Sequence, residues 1–458
     1  MRTERDTLGE VDVPDDALYG AQTQRAVENY PVSGLREHPL FVRAFIVLKK
    51  AAAQANKELG TLDAPLADSI IAACDELLTK AETYRGQFVV DVFQAGAGTS
   101  FNMNVNEVIA NLANPRRGTY TPVHPNDHVN MAQSTNDVFP TAIRIATLLL
   151  LNELLPQLDA LAAAFDERSG AFKDVIKSGR THLQDAVPLT LGQEFRAYAS
   201  ATRRATRLLR DAANELRILG IGGTAVGTGM NAPRGYRQIV VRRLNEMTNL
   251  DLTATDDLRE AMQSQLPVAA VSGALRNLAL ELTRITNDLR LLASGPQTGL
   301  AEITLPAVQP GSSIMPGKVN PSMLECMNQV LFHIIGSATT IDYAVQAGQL
   351  ELNVMMPLMA FEILFSIEIL KNYLPLFIAR CIAGIEADRA QCEAYYISSP
   401  SLATALNPII GYARAAEIAK ESAKSGTPIP QLLREKKLLS DDEIARIFTP
   451  EFLAGQAD

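Results

Sequence analysis

Ser312, Ser313, Lys318 and Asn320 stand close together in the stretch Pro310-Gly-Ser-Ser-Ile-Met-Pro-Gly-Lys-Val-Asn-Pro321. One cation, two hydroxyls and one amide make a donor set suited to a small anion. The backbone around them alternates freedom with restraint: Gly311 and Gly317 widen the accessible dihedrals, while Pro316 and Pro321 narrow them. A stretch built this way can close over a bound molecule and open again. Asn320-Pro321 reads as an N-cap followed by a first helical residue, so the stretch leads into a positive helix end. A phosphate loop of the GxxxxGK[ST] type is excluded. Five residues separate Gly311 from Gly317, and Val319 follows Lys318 where that loop needs Ser or Thr.

Three other blocks carry comparable chemistry. Gln94-Ala-Gly-Ala-Gly-Thr-Ser-Phe-Asn-Met-Asn104 is a glycine-rich turn running into a helix, with Thr99 or Ser100 placed to cap it. Ser134-Thr135-Asn136 precedes the helical pattern at 143–165 and has cap chemistry of its own. Three capped helix starts and a lysine suit a dicarboxylate. Arg180-Thr-His-Leu-Gln-Asp-Ala-Val-Pro188 interrupts the helical patterns, and Thr181 with His182 is its reactive part. His124 and His128 are not a metal pair, because Pro125 breaks the i, i+4 helical spacing and no flanking ligand set accompanies them.

The elements that must hold these blocks are helices. Apolar residues recur at three- and four-residue spacing over 39–59 and 65–84, after a mixed start with an extended piece at 8–13. From about 137 to 395 the helices are long. One stripe runs through Leu191, Phe195, Tyr198, Ala205, Leu208, Ala212, Leu216 and Leu219, and another through Val271, Leu275, Leu278, Leu282, Ile285, Leu289 and Leu292. Such stripes are bundle seams. Gly220-Ile-Gly-Gly-Thr-Ala225 imitates a dinucleotide fingerprint, but a helical pattern precedes it where a strand is needed, so it reads as a turn. The last segment has shorter helices and a capping box at Ser440 and Glu443. The expected division is 1–136, mostly helical; 137–395, a long-helix bundle; and 396–458, small and helical.

The bulk numbers narrow the function classes. The 458 residues suit about three domains, and 47% hydrophobic with 20% charged residues is a globular balance. A net charge of −9 argues against nucleic acid as partner and allows a small anion in a locally basic recess. Cys74, Cys326, Cys381 and Cys392 have no metal or redox spacing and read as thiols of a reducing cytosol. No apolar run reads as long and uncharged enough for a bilayer, and the N-terminus does not read as a signal peptide.

Gly311-Ser-Ser-Ile-Met-Pro-Gly-Lys-Val-Asn320 resembles the signature of the aspartase/fumarase superfamily of lyases, and the other blocks extend the likeness over nearly the whole chain. The resemblance implies a mainly α, three-domain fold whose central bundles form a homotetramer, with active sites shared between subunits and no organic cofactor or metal. It implies that Ser312 acts as base on a carbon beside a carboxylate. Thr99, Ser134, Thr135 and Ser313 would hold that carboxylate, and Lys318, Asn320 and Thr181 the other one. Asn136 and His182 would face the leaving group, with Glu325 paired to His182. His124, Asn126 and Asp127 would form a possible second carboxylate site.

Gly96-Ala-Gly-Thr-Ser100, Gln133-Ser-Thr-Asn-Asp137, Arg180–Pro188 and Gly348-Gln-Leu-Glu-Leu-Asn-Val-Met355 resemble aspartases. His124-Pro-Asn-Asp127 and Gly222-Gly-Thr-Ala-Val-Gly227 resemble fumarases, and Met356 matches neither. The likeness therefore implies deamination of L-aspartate to fumarate. Dehydration of L-malate to fumarate, as in a class II fumarate hydratase, is the alternative, and a non-catalytic descendant a more distant one.

Overall fold

The computed structural model describes residues 1–453 and is built mainly from helices. The chain divides into two compact units. One comprises Met1–Leu155, Arg207–Ala279 and Phe332–Lys371, the other Pro156–Thr206, Leu280–Leu331 and Asn372–Asp458. Each of the five longest helices runs from one unit into the other.

In the first unit the sequence pattern at 39–59 becomes the helix Pro39–Glu58. Pro39 opens it, and His38 caps it by accepting the Leu40 N–H on Nδ1 at 3.1 Å. Phe41 and Phe45 on its buried face meet Phe101 and Phe139 with ring centroids 5.0 to 5.6 Å apart. Edge-to-face and offset contacts of this kind add about 0.5–1.5 kcal/mol each to the burial term. The pattern at 65–84 divides into Ala64–Thr79 and Ala81–Tyr84, because Lys80 leaves the helical region at φ −114°, ψ 39°. The extended piece at 8–13 is Gly9–Val13, paired antiparallel with Arg2–Asp6.

The helix Thr135–Ala171 overturns one expectation. It contains a window apolar enough by composition to cross a membrane, yet 78% of that window is buried inside the fold, which makes it a core helix. The stripe at 271–292 is buried throughout, as expected. The stripe at 191–219 needs two corrections: it slips by one residue, Leu209 and Ala213 being buried and Leu208 48% exposed, and the helix ends at Ala213, so that Leu216 and Leu219 are buried from a 3-10 turn and a short strand.

In the second unit the stretch that interrupts the helices is a β-hairpin, Ile176–Thr181 against Gln184–Thr190, with a bulge at Ser178 and Gly179. The C-terminal helices share a core of Leu402, Leu406, Ile418, Leu432, Leu433 and Ile444, into which Ile176 of the hairpin also packs. The capping box is formed: Ser440 Oγ accepts the Glu443 N–H at 3.3 Å, and Glu443 Oε2 accepts the Ser440 N–H at 2.8 Å.

Candidate active site

In the mobile-type stretch, Ser312 Oγ accepts two backbone N–H groups, from Ile314 at 3.2 Å and from Met315 at 3.0 Å. Two such donors favour negative charge on the oxygen that receives them. The stretch folds back on itself: the Gly311 N–H donates to the Lys318 carbonyl at 2.8 Å, and Asn320 Nδ2 donates to the Gly311 carbonyl at 2.7 Å. A Cβ on Gly311 would lie 2.7 Å from the Lys318 oxygen, so only glycine allows this approach. Ser312, Met315, Lys318 and Val319 line a recess of about 440 Å³. Ile314 is 83% exposed, an apolar side chain awaiting cover.

The expected cap is displaced. Asn320 uses its side chain on the loop, the Pro321 carbonyl accepts the first helical N–H from Glu325, and the helix is Ser322–Gln346. Glu325 therefore sits in the first turn, where a carboxylate is favoured by the helix dipole.

Thr181 and His182 lie at the hairpin tip. His182 (φ 56°) and Leu183 (φ 60°) both take left-handed conformations, in a turn position usually given to Asn-Gly. Held strain of this kind marks positions where function overrides local preference. Within one chain His182 and Glu325 form no ion pair among the described residues.

In the first unit, Thr99 is not a cap. The N-cap is Gly98 at φ 88°, and Thr99 is the first residue of the helix Thr99–Ala113. Gln94 supplies the missing acceptor, its Oε1 taking the Phe101 N–H at 2.9 Å, and the Thr99 hydroxyl has no hydrogen bond among the described residues. A Cβ on Gly98 would fall 2.0 Å from the Phe139 ring. Gly98→Ala is expected to lose about 3 kcal/mol or more of stability, read as a drop in the denaturant midpoint.

Ser134 does cap its helix. Its Oγ accepts the Asn136 N–H at 3.2 Å, and Asp137 Oδ1 returns the bond by accepting the Ser134 N–H at 3.0 Å. Beneath it lies Lys49, fully buried, donating to Asn102 Oδ1 (2.7 Å), Asn130 Oδ1 (3.0 Å) and Gln133 Oε1 (2.9 Å). Asn102 Nδ2 in turn donates to Thr135 Oγ1 at 3.1 Å. Sequence reasoning missed Lys49. The available signal was a lysine on the same helical face as Phe45 and Ala52, a position that otherwise holds apolar residues.

Burial pulls the Lys49 ammonium down to about 7. The unfolded chain then binds the extra proton between pH 7 and 10.5, so stability should rise with pH across that window. Thermal unfolding at pH 7 and pH 9 is expected to show this gain in the wild type and not in Lys49→Met.

His124 caps the turn Pro125–Val129, its Nδ1 accepting the N–H groups of Asn126 (3.3 Å) and Asp127 (3.2 Å). His128 Nδ1 accepts the His124 N–H at 2.9 Å, so both imidazoles hold backbone. Gly220–Ala225 is a turn, as expected, but the residues just before it are not helical: Ile218–Leu219 form a two-residue strand paired parallel with Thr253–Ala254.

These groups divide cleanly: Thr99, His124, Asn126, Asp127, Ser134, Thr135 and Asn136 belong to the first unit, and Thr181, His182, Ser312, Ser313, Lys318, Asn320 and Glu325 to the second. Comparison with known proteins gives the pattern its context. The chain matches the family described as Lyase over residues 9–336, and that described as Fumarase C C-terminus over 402–455. It is 45% identical to an aspartate ammonia-lyase of Helicobacter pylori, over 98% of this chain and 97% of that one. The chain belongs to the aspartase/fumarase superfamily.

Two solved lyases of this superfamily share the fold. A fumarate lyase:delta crystallin from Brucella melitensis, bound to cobalt, is 48% identical with a TM-score of 0.96, covering 99% of each chain. A class II fumarase from Schistosoma mansoni is 34% identical with a TM-score of 0.95, covering 100% of each. Within a superfamily that handles both amines and alcohols, Met356 is no guide to the leaving group, because it is fully buried at the start of the helix Met356–Arg380. The Gly-rich turn is held instead by its neighbour, the Ala97 N–H donating to the Val354 carbonyl at 2.8 Å.

Proposed function

We propose that this chain catalyses the reversible deamination of L-aspartate to fumarate and ammonia. The observation that carries the mechanism is Ser312 Oγ with two backbone N–H groups on it. A serine is a weak base at its ordinary pKa, and fixed donors stabilise the alkoxide it must become. The oxygen takes a proton from C3, and the electron pair passes into the C4 carboxylate as an aci-carboxylate. Thr99, Ser134, Thr135 and Ser313 hold that carboxylate, and Lys318, Asn320 and Thr181 the other. The C2–N bond then breaks, C2=C3 forms, and the amine leaves past Asn136 and His182, whose partner is Glu325.

The relative from Helicobacter pylori supports the choice of an amine leaving group. The family resemblance supports a homotetramer built on the 137–395 bundle and flanked by 1–136 and 396–458, with each site completed from several chains. His124, Asn126 and Asp127 would hold a second carboxylate outside the reacting site. The setting is cytoplasmic.

Run in reverse, the reaction has a clear signature. Fumarate and ammonium in deuterium oxide should give L-aspartate carrying one deuterium at C3. Failure to form aspartate from fumarate and ammonium, and fumarate from aspartate, would overturn the reading.

A further inference from the structure

Resting on that reading of Asn136, we propose that Asp137 is a positioning residue that sets which end of the Asn136 amide meets the amine. Asp137 is fully buried, and its Oδ2 accepts the N–H groups of Gly222 (3.0 Å) and Thr224 (2.9 Å). It thereby holds the turn that imitates a dinucleotide fingerprint. The turn cannot hold itself at low energy: Gly222 lies at φ 88° and Thr224, a β-branched residue, at φ 56°. The N–H groups of alternate residues, 222 and 224, converge on one carboxylate oxygen, an anion-binding concavity here filled by a side chain of the protein.

The turn then acts on the site. Asn136 Nδ2 donates to the Ala225 carbonyl at 2.8 Å. A carbonyl accepts only from the NH₂ end, so this contact fixes the amide's orientation and turns Oδ1 away as an acceptor. An acceptor is what an ammonium group requires. Asp137 Oδ1 meanwhile accepts the Ser134 N–H, so one carboxylate ties the cap to the turn. Lys49 from the helix Pro39–Glu58 and Tyr236 from the helix Tyr236–Thr248 are the charged and titratable groups interacting with it.

The test compares L-aspartate turnover with inhibition by succinate, which has both carboxylates and no amine. Asp137→Asn cannot accept at both oxygens. Gly222→Ala leaves the carboxylate and the cap in place but sets a Cβ 2.9 Å from the Arg237 Cβ, displacing the turn alone. Each variant, with folding checked by circular dichroism, should lose about tenfold or more in kcat/KM for aspartate, as expected for one misdirected hydrogen bond to a charged group. The succinate Ki should move less than about threefold, since its carboxylates meet other groups.

Wild-type turnover in either folded variant would overturn the inference. So would equal losses for aspartate and succinate, which would reduce Asp137 to a support for the carboxylate pocket. Asn136→Ala is measured alongside. If it turned over aspartate normally, the underlying reading of Asn136 would fail instead.

Discussion

Replacing Ser312 by alanine is expected to lower kcat for L-aspartate by about three orders of magnitude or more, as removal of a reacting base does. The KM and the succinate Ki should change little, because in the proposed mechanism Ser312 meets the C3 proton and not a carboxylate. The thermal midpoint should hold within a few degrees. Ser312 lies on a partly exposed loop, and among the described residues its Oγ hydrogen-bonds to two N–H groups of that loop. Stopped turnover in a folded protein that still binds succinate would separate loss of the base from loss of the site. Turnover at even a tenth of the wild-type rate would remove Ser312 from the mechanism.

Lys318→Met should show the opposite pattern. Lys318 is the one cation on the 310–321 stretch, and its side chain reaches the recess that Ser312 also lines. A charge-assisted hydrogen bond to a carboxylate is worth about 1.5–3 kcal/mol, and more when loop closure excludes water. At about 1.4 kcal/mol per decade, kcat/KM for aspartate falls by at least about ten- to a hundredfold. The succinate Ki rises by a similar factor, since succinate presents the same carboxylate. A Ki unchanged by the substitution would place Lys318 outside the carboxylate pocket.

Much of the helical frame was legible because its periodicity is strong: the stripe from Val271 to Leu292 is buried as its spacing requires. The stripe near Leu208 slipped by one residue, since an apolar side chain on each of two adjacent faces leaves the register open and packing decides it. The hairpin holding Thr181 and His182 was not legible. Its tip lacks the Asn-Gly that marks such turns, and His182 and Leu183 adopt the left-handed region under tertiary constraint.

The caps show the same limit. Thr99, Asn320 and Ser134 all have cap chemistry, yet only Ser134 caps; Gln94 and the Pro321 carbonyl take over at the other two helix starts. Freed from capping, the Thr99 hydroxyl stays available to a ligand. Lys49 and Asp137 carry their meaning in burial and long-range partners, which no local pattern records.

The account is tested most directly by following fumarate formation in ultraviolet absorbance, with L-aspartate and L-malate offered separately at equal concentration. Aspartate turned over and malate left untouched is the predicted result. Malate turned over with aspartate untouched would contradict it.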